Sequence, residues 1–219
     1  MSTITAGRVK ASKGEVSLSR KLLEWGGIAA GVILIAFGIG AIVMGFNGRA
    51  TVADSLKLEK IVGSEDMTPA TIKEEAAQAG LTGVDLPTCN VAGKSIDTGS
   101  EARCFASYMR IHALESTGGL TYAEMGRFAT ADGKPAGTND SAAALKDDKG
   151  QPVSNGARNI WVTETALTTA LNTSYMAEQL GLFGIVVGVA LLLSGIGFVI
   201  LAVGGALRHR AFDKAQAES

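Results

Sequence analysis

Two cysteines and two histidines have the widest chemistry of any residues in this chain, and their placement limits what that chemistry is. Cys89 and Cys104 are the only thiols. In an oxidising compartment a disulfide between them closes a loop of about 15 residues and stabilises a small fold by about 3 kcal/mol on the chain-entropy model. Two free thiols, or a bridge to another chain, are the competing arrangements. Metal and acid–base chemistry needs clusters of His, Cys or carboxylate, and the sequence shows none at ligand spacing. His112 and His209 are separated by a long apolar stretch, so they are not expected to share a metal, and His112 reads as a packed or surface helix residue. Gly93, Lys94 and Ser95 match the end of a phosphate-binding loop, but Thr88 stands where that motif has its first glycine and no apolar strand precedes it. Asp147 and Asp148 read as solvated. No catalytic residue, metal ligand or cofactor is assigned, and the chain is not expected to be an enzyme.

The elements that carry these residues follow from charge-free runs. Residues 25–46 and 180–207 are the only long stretches without Asp, Glu, Lys, Arg or His. A helix rises about 1.5 Å per residue and a hydrocarbon layer is about 30 Å thick, so each run is long enough to cross it. The expected fold is an all-α integral membrane protein with two transmembrane helices and a helical extracytoplasmic domain between them. Residues 1–24 carry net charge +3, residues 208–219 carry +1, and residues 47–179 carry −5. The positive-inside bias then puts both termini in the cytoplasm and residues 47–179 outside a cell membrane. The first run is too long for a cleavable signal core of about 7 to 15 residues and reads as a retained anchor.

Glycine spacing says how the spans pack. Gly31, Gly38 and Gly45 recur every seven residues, as do Gly181, Gly188 and Gly195, and Gly27 with Gly31 and Gly184 with Gly188 form G-x-x-x-G pairs. Helices in lipid gain no ordinary hydrophobic drive to associate, so close backbone approach along such stripes supplies the dispersion energy. The stripe's partner is the other span, a second copy or another membrane subunit. Ser194 is the only polar side chain well inside either span, which speaks against a transport pathway formed by one chain. Membrane lipid is an expected contact and nucleic acid is not.

In residues 47–179, Thr68 as cap, Pro69 in the first turn and Gly80 as stop predict a helix over 69–79. Ser100 is expected to cap a second helix with Ala102, Phe105, Met109 and His112 on one face, ended by Gly118 and Gly119. A third begins near Ala157 and runs unbroken into the second span. Residues 130–158, rich in Gly, Pro, Asp, Asn and Lys, read as a flexible loop. The segment has six aromatic residues, a thin core for its length, so a staple or partner is expected.

Four stretches, TAGRVKASKGEVSLSRKLLEWGG, IVGSEDMTPATIKEEA, YMRIHALESTGGLTYAEMGRF and RNIWVTETALTTALNTSYMAEQLGLFGIVVGVALLLSGIG, together resemble a family of uncharacterised actinobacterial two-span membrane proteins over most of the chain. Some members carry the label aromatic ring-opening dioxygenase. Extradiol cleavage at non-haem iron uses two histidines and a carboxylate on one metal, and residues 47–179 hold one histidine, so that activity is not carried over. The resemblance implies a host group and the two-span architecture. The function expected is a non-catalytic structural or accessory membrane subunit that self-associates or binds a larger envelope complex; the alternative is an oligomeric extracytoplasmic ligand sensor or channel.

Overall fold

The structure, a computed structural model, describes residues 13–217, with side chains described over 21–205. Of the basic tails expected at 1–24 and 208–219, residues 1–12 and 218–219 lie outside that description, as do the side chains of residues 1–20 and 206–219, His209 among them. The elements are α1 (Lys13–Glu59), α2 (Pro69–Gln78), α3 (Gly99–Ser116), a short 3-10 turn (Tyr122–Glu124) and α4 (Gly156–Ala217). The regular elements among the described residues are all helical. α1 and α4 each contain a segment long and apolar enough to cross a membrane. The chain divides into two compact units, one holding the residues up to Phe46 and from Phe183 onward, the other Asn47–Leu182.

In the first unit α1 and α4 run in opposite directions with glycine at the contact. A Cβ built on Gly38 falls 2.7 Å from the Gly188 carbonyl oxygen, and one built on Gly188 falls 2.7 Å from the Gly38 carbonyl oxygen. One turn-pair away, a Cβ on Gly31 meets the Gly195 oxygen at 2.7 Å, and one on Gly195 meets the Gly31 oxygen at 2.6 Å. Real side chains do not fit in these gaps. Large residues fill the space between the glycines in counter-phase: Ile35 lies against Gly195, Ile42 against Gly188 and Val199 against Gly31, while Leu192 presents its backbone to Gly38. Gly27 faces the Ala202 methyl, where a Cβ would sit at 3.1 Å, and Gly184 faces Gly45 more loosely, at 3.9 Å. Gly31, Gly38, Gly45, Gly188 and Gly195 are buried, and Gly181, also expected in the stripe, is half-buried. The stripe is therefore occupied by the other span of the same chain. Bulk faces the opposite way: Phe37 is 70% exposed, Met44 75%, Phe183 65% and Leu201 75%.

In the second unit the end of α1 contributes Leu56 to a core with Met67, Ile72, Val91, Ile96, Tyr108, Ile111, Leu114, Trp161 and Leu171. Asn47 and Gly48 do not stop α1. It ends where Lys60 takes a left-handed conformation (φ 52°), a role more often filled by glycine. α2 starts as its sequence predicts, with Thr68 Oγ1 accepting from the Thr71 N–H, and stops before Gly80 at φ 69°. α3 differs by two residues at its start. Thr98, not Ser100, is its cap, because Glu101 reaches back to the Thr98 N–H (3.0 Å) while Thr98 Oγ1 accepts from the Glu101 N–H (3.2 Å), a reciprocal box that Ser100 has no partner to make.

Cys89 and Cys104 are bonded, S–S 2.04 Å with Cα atoms 6.1 Å apart. Beside them the Tyr108 hydroxyl donates to the Cys89 carbonyl oxygen at 2.6 Å. Burial pushes this hydroxyl above the usual tyrosine range, so it stays a donor at any ordinary pH.

Residues 126–155 contain no long element, but their backbone is far from unpaired. Phe128 exchanges hydrogen bonds with Thr138 in both directions (2.9 and 2.8 Å), the Ala129 N–H donates to Val153 O and the Leu145 N–H donates to Ala129 O. Asn155 fastens the arrangement. Buried at 4% exposure, it donates from Nδ2 to Gly126 O (3.0 Å) and Pro135 O (2.8 Å) and accepts the Ala157 N–H on Oδ1 (3.1 Å). The side chain that ties this segment together thus also caps the start of α4.

Substituting Gly38→Val or Gly188→Val is expected to lower the temperature at which the detergent-solubilised protein loses its monodisperse elution peak, whereas Gly40→Val, with no atom within 4 Å of its Cβ position, leaves it unchanged. Equal effects at all three positions would contradict the glycine contact. Separately, Cys89→Ser/Cys104→Ser is expected to destabilise the second unit by about 3 kcal/mol, read as a lower denaturant midpoint, with reductant reproducing the shift in wild-type protein and leaving the variant unmoved.

Candidate functional site

Helix α4 carries an aromatic followed three residues later by a glutamate twice, at Trp161 with Glu164 and Tyr175 with Glu178. The spacing puts each pair on one face of the helix. Helix α3 answers with arginines seven residues apart: Arg103 lies over the Tyr175 ring and Arg110 over the Trp161 ring, both at 4.6 Å to the centroid. Such stacks contribute about 0.5 to 2 kcal/mol depending on desolvation. Arg110 also pairs with Glu164 (Nη1 to Oε2, 3.2 Å), which is 2% exposed. Oε1 of Glu164 is buried without a hydrogen-bond partner. This face is therefore held by a buried charge whose whole compensation comes through one oxygen.

Glu178 makes a second joint. Its Oε2 accepts the Ser100 N–H at the first turn of α3 (3.1 Å) and its Oε1 lies 3.3 Å from Arg49 Nη2. A carboxylate at a helix N-terminus offsets the partial positive charge of the unpaired amides there. Gly99 makes the approach feasible, since a Cβ at that position would sit 2.7 Å from Glu178 Oε2 and 2.8 Å from the Tyr175 Cα.

Two apolar grooves flank the α3–α4 contact. One, about 480 Å³, is lined by Met109, His112, Ile160, Glu164 and Leu167; the other, about 500 Å³, by Leu56, Ile61, Phe105, Met109, Leu167 and Leu171. Met109 and Leu167 belong to both, so the grooves adjoin. Ile160 and Leu167 are each 46% exposed, whereas Leu171 is buried.

His112, expected to be a packed or surface helix residue, is half-buried on α3 beside two carboxylates. Nε2 lies 3.1 Å from Asp66 Oδ2 and 3.7 Å from Glu75 Oε2. Three segments bring these side chains together. Pairing of residues 61–67 with 91–96, including the Gly63 N–H to Lys94 O (2.9 Å) and the Ile96 N–H to Ile61 O (3.0 Å), fixes the turn bearing Asp66. Glu75 follows Ile72 by three and adjoins Ala76, the two buried residues of α2, and His112 follows the buried Tyr108 by four on α3. Each ligand-type residue thus sits at the rim of a buried stripe. One ligand atom from each lies within 4.8 Å of the others. No local spacing announces this cluster, because residues 66, 75 and 112 belong to three different segments.

Elsewhere the titratable groups are simpler. Glu124 and Asp132 both lie below the usual carboxylate range, Glu124 because the Thr121 N–H and hydroxyl donate to it and Asp132 chiefly because the Thr130 hydroxyl does. Lys94 Nζ donates to Asn90 O at 2.9 Å, so the Gly93-Lys94-Ser95 run is turned back on its own loop.

Comparison with protein-family models, curated proteins and solved structures finds no match. A functional reading therefore rests on the geometry above.

Arg110→Met is expected to cost about 3 kcal/mol, the low end of the range for leaving a buried charge unpaired, because Arg110 itself is 40% exposed. Adding Glu164→Leu should restore most of the loss. Denaturant midpoints of the single and double variants test this, and a double variant no better than the single one would show that the ring stack, rather than the ion pair, holds the face.

Proposed function

We propose that the chain is a non-catalytic accessory subunit of a membrane: a two-span anchor carrying an extracytoplasmic, disulfide-stapled unit that binds another membrane protein. One observation carries the reading. In the first unit glycines are inside and large apolar residues outside, with Phe37, Met44, Phe183 and Leu201 all more than three-fifths exposed. That arrangement is unstable in water and natural in hydrocarbon, where helix contact is made by small residues and lipid takes the bulky ones. Because the glycine stripes are consumed within the chain, association with other subunits uses other surfaces. The half-exposed apolar lining around Met109 and Leu167 offers one in the unit that also holds the disulfide. Ser194, well inside the second span, donates to the Ala190 carbonyl of its own helix, which engages its hydroxyl proton and favours anchoring over conduction.

Purification of the tagged chain from its own membranes in mild detergent is expected to bring down a stoichiometric membrane partner, or a defined multimer, by intact-complex mass. Leu167→Glu should release the partner while the variant keeps its helical content and its anchor in the membrane fraction. A wild-type monomer that elutes alone, without a cross-linked neighbour in native membranes, would overturn the proposal.

A further inference from the structure

We infer that Asp66, Glu75 and His112 form a binding site for one divalent transition-metal ion of the zinc class, held by His112 Nε2 and an oxygen of each carboxylate. Three donors about 2.1 Å from one tetrahedral ion stand about 3.4 Å apart. His112 Nε2 is 3.1 Å from the Asp66 oxygen and 3.7 Å from the Glu75 oxygen, on either side of that value. An ordinary ion-pair cluster of imidazolium and carboxylates would use those short distances as hydrogen bonds. Here it does not: His112 Nε2, Glu75 Oε2 and Asp66 Oδ1 are each closed to solvent and each lack a hydrogen-bond partner. Buried polar atoms are rarely left so, and two of them, His112 Nε2 and Glu75 Oε2, lie 3.7 Å apart beside Asp66 Oδ2, which points to a common missing neighbour. Two carboxylates and a neutral imidazole carry charge −2, which a divalent ion cancels. The imidazole selects zinc, cobalt or nickel over calcium and magnesium, which take oxygen donors.

Neighbouring features support an ion there. The side chains are 26% to 35% exposed, so an ion has an entry path, and three protein ligands leave a fourth position for water. His112 also lines the smaller groove. Both cysteines are in the disulfide, so no thiol in the second unit competes for the metal. Bound metal would tie the turn before α2, α2 itself and α3 to one point.

The test uses the full-length, tag-free protein in detergent, carrying His209→Asn so that His112 is its only histidine, stripped with chelator and dialysed. Zinc titration by calorimetry, with bound metal counted by mass spectrometry, is expected to give one ion per chain. Asp66→Asn, Glu75→Gln and His112→Gln should each weaken binding by at least about tenfold, a conservative figure given the losses that even outer-shell changes cause. Cobalt supplies a readout that needs no variant: visible absorption of a four- or five-coordinate ion should appear on addition to the stripped protein and vanish on addition of zinc. Binding that survives His112→Gln unchanged, or the absence of both saturable zinc uptake and a cobalt spectrum, overturns the site.

Discussion

Backbone-to-backbone contact between two glycine-faced helices is the constraint on which the rest of the molecule depends. Gly38 and Gly188 approach so closely that a methyl group on either would meet the other's carbonyl oxygen. Dispersion falls off steeply with distance, so closing the last ångström between helices is what makes their association favourable in a medium as apolar as the helices themselves. The counter-phase of Ile35, Ile42 and Val199 against the glycines then fixes register, because a shift by one residue would set a branched side chain against another. The same contact assigns the bulky residues to the outside.

The second unit, Asn47–Leu182, solves its stability problem by other means. Its aromatic residues are few, and four of them, Tyr122, Phe128, Trp161 and Tyr175, spend a ring face on an arginine. Buried carboxylates at positions 164 and 178, a disulfide and a buried asparagine replace the apolar bulk that a domain of this length would otherwise need. Such polar joints are less forgiving than hydrophobic packing, since removing one partner strands the other. They also specify geometry, which a thin core alone does poorly.

Much of this was legible in the sequence, and the misses have identifiable causes. Charge-free runs and heptad glycines are local, periodic signals, and the apolar helices and the stripe at Gly31, Gly38, Gly188 and Gly195 follow from them directly. The cap of α2 was legible because Thr68 and Pro69 are adjacent; that of α3 was misplaced because Ser100 and Thr98 are both good caps and only Glu101 decides between them. The continuation of α1 to Glu59 was hidden by Asn47 and Gly48, a pair that usually ends a helix, and is held by Val52 and Leu56 packing on the core. The backbone pairing within residues 126–155 had no periodicity to reveal it, since single-residue bridges leave no alternating pattern. The cluster of Asp66, Glu75 and His112 is a property of tertiary structure alone.

Glu178 closes the end of α3 from 78 positions further along the chain and meets Arg49 across 129. During synthesis, Arg49 and the first turn of α3 emerge long before the carboxylate that completes them. Until Glu178 leaves the ribosome, the Ser100 amide and the Arg49 guanidinium must do without this carboxylate. The stapled unit is therefore finished only as translation reaches the second apolar segment, and long-range contacts of this kind are slow to form. A truncated or stalled chain would present that joint open, with the Ser100 amide and Arg49 lacking their shared carboxylate.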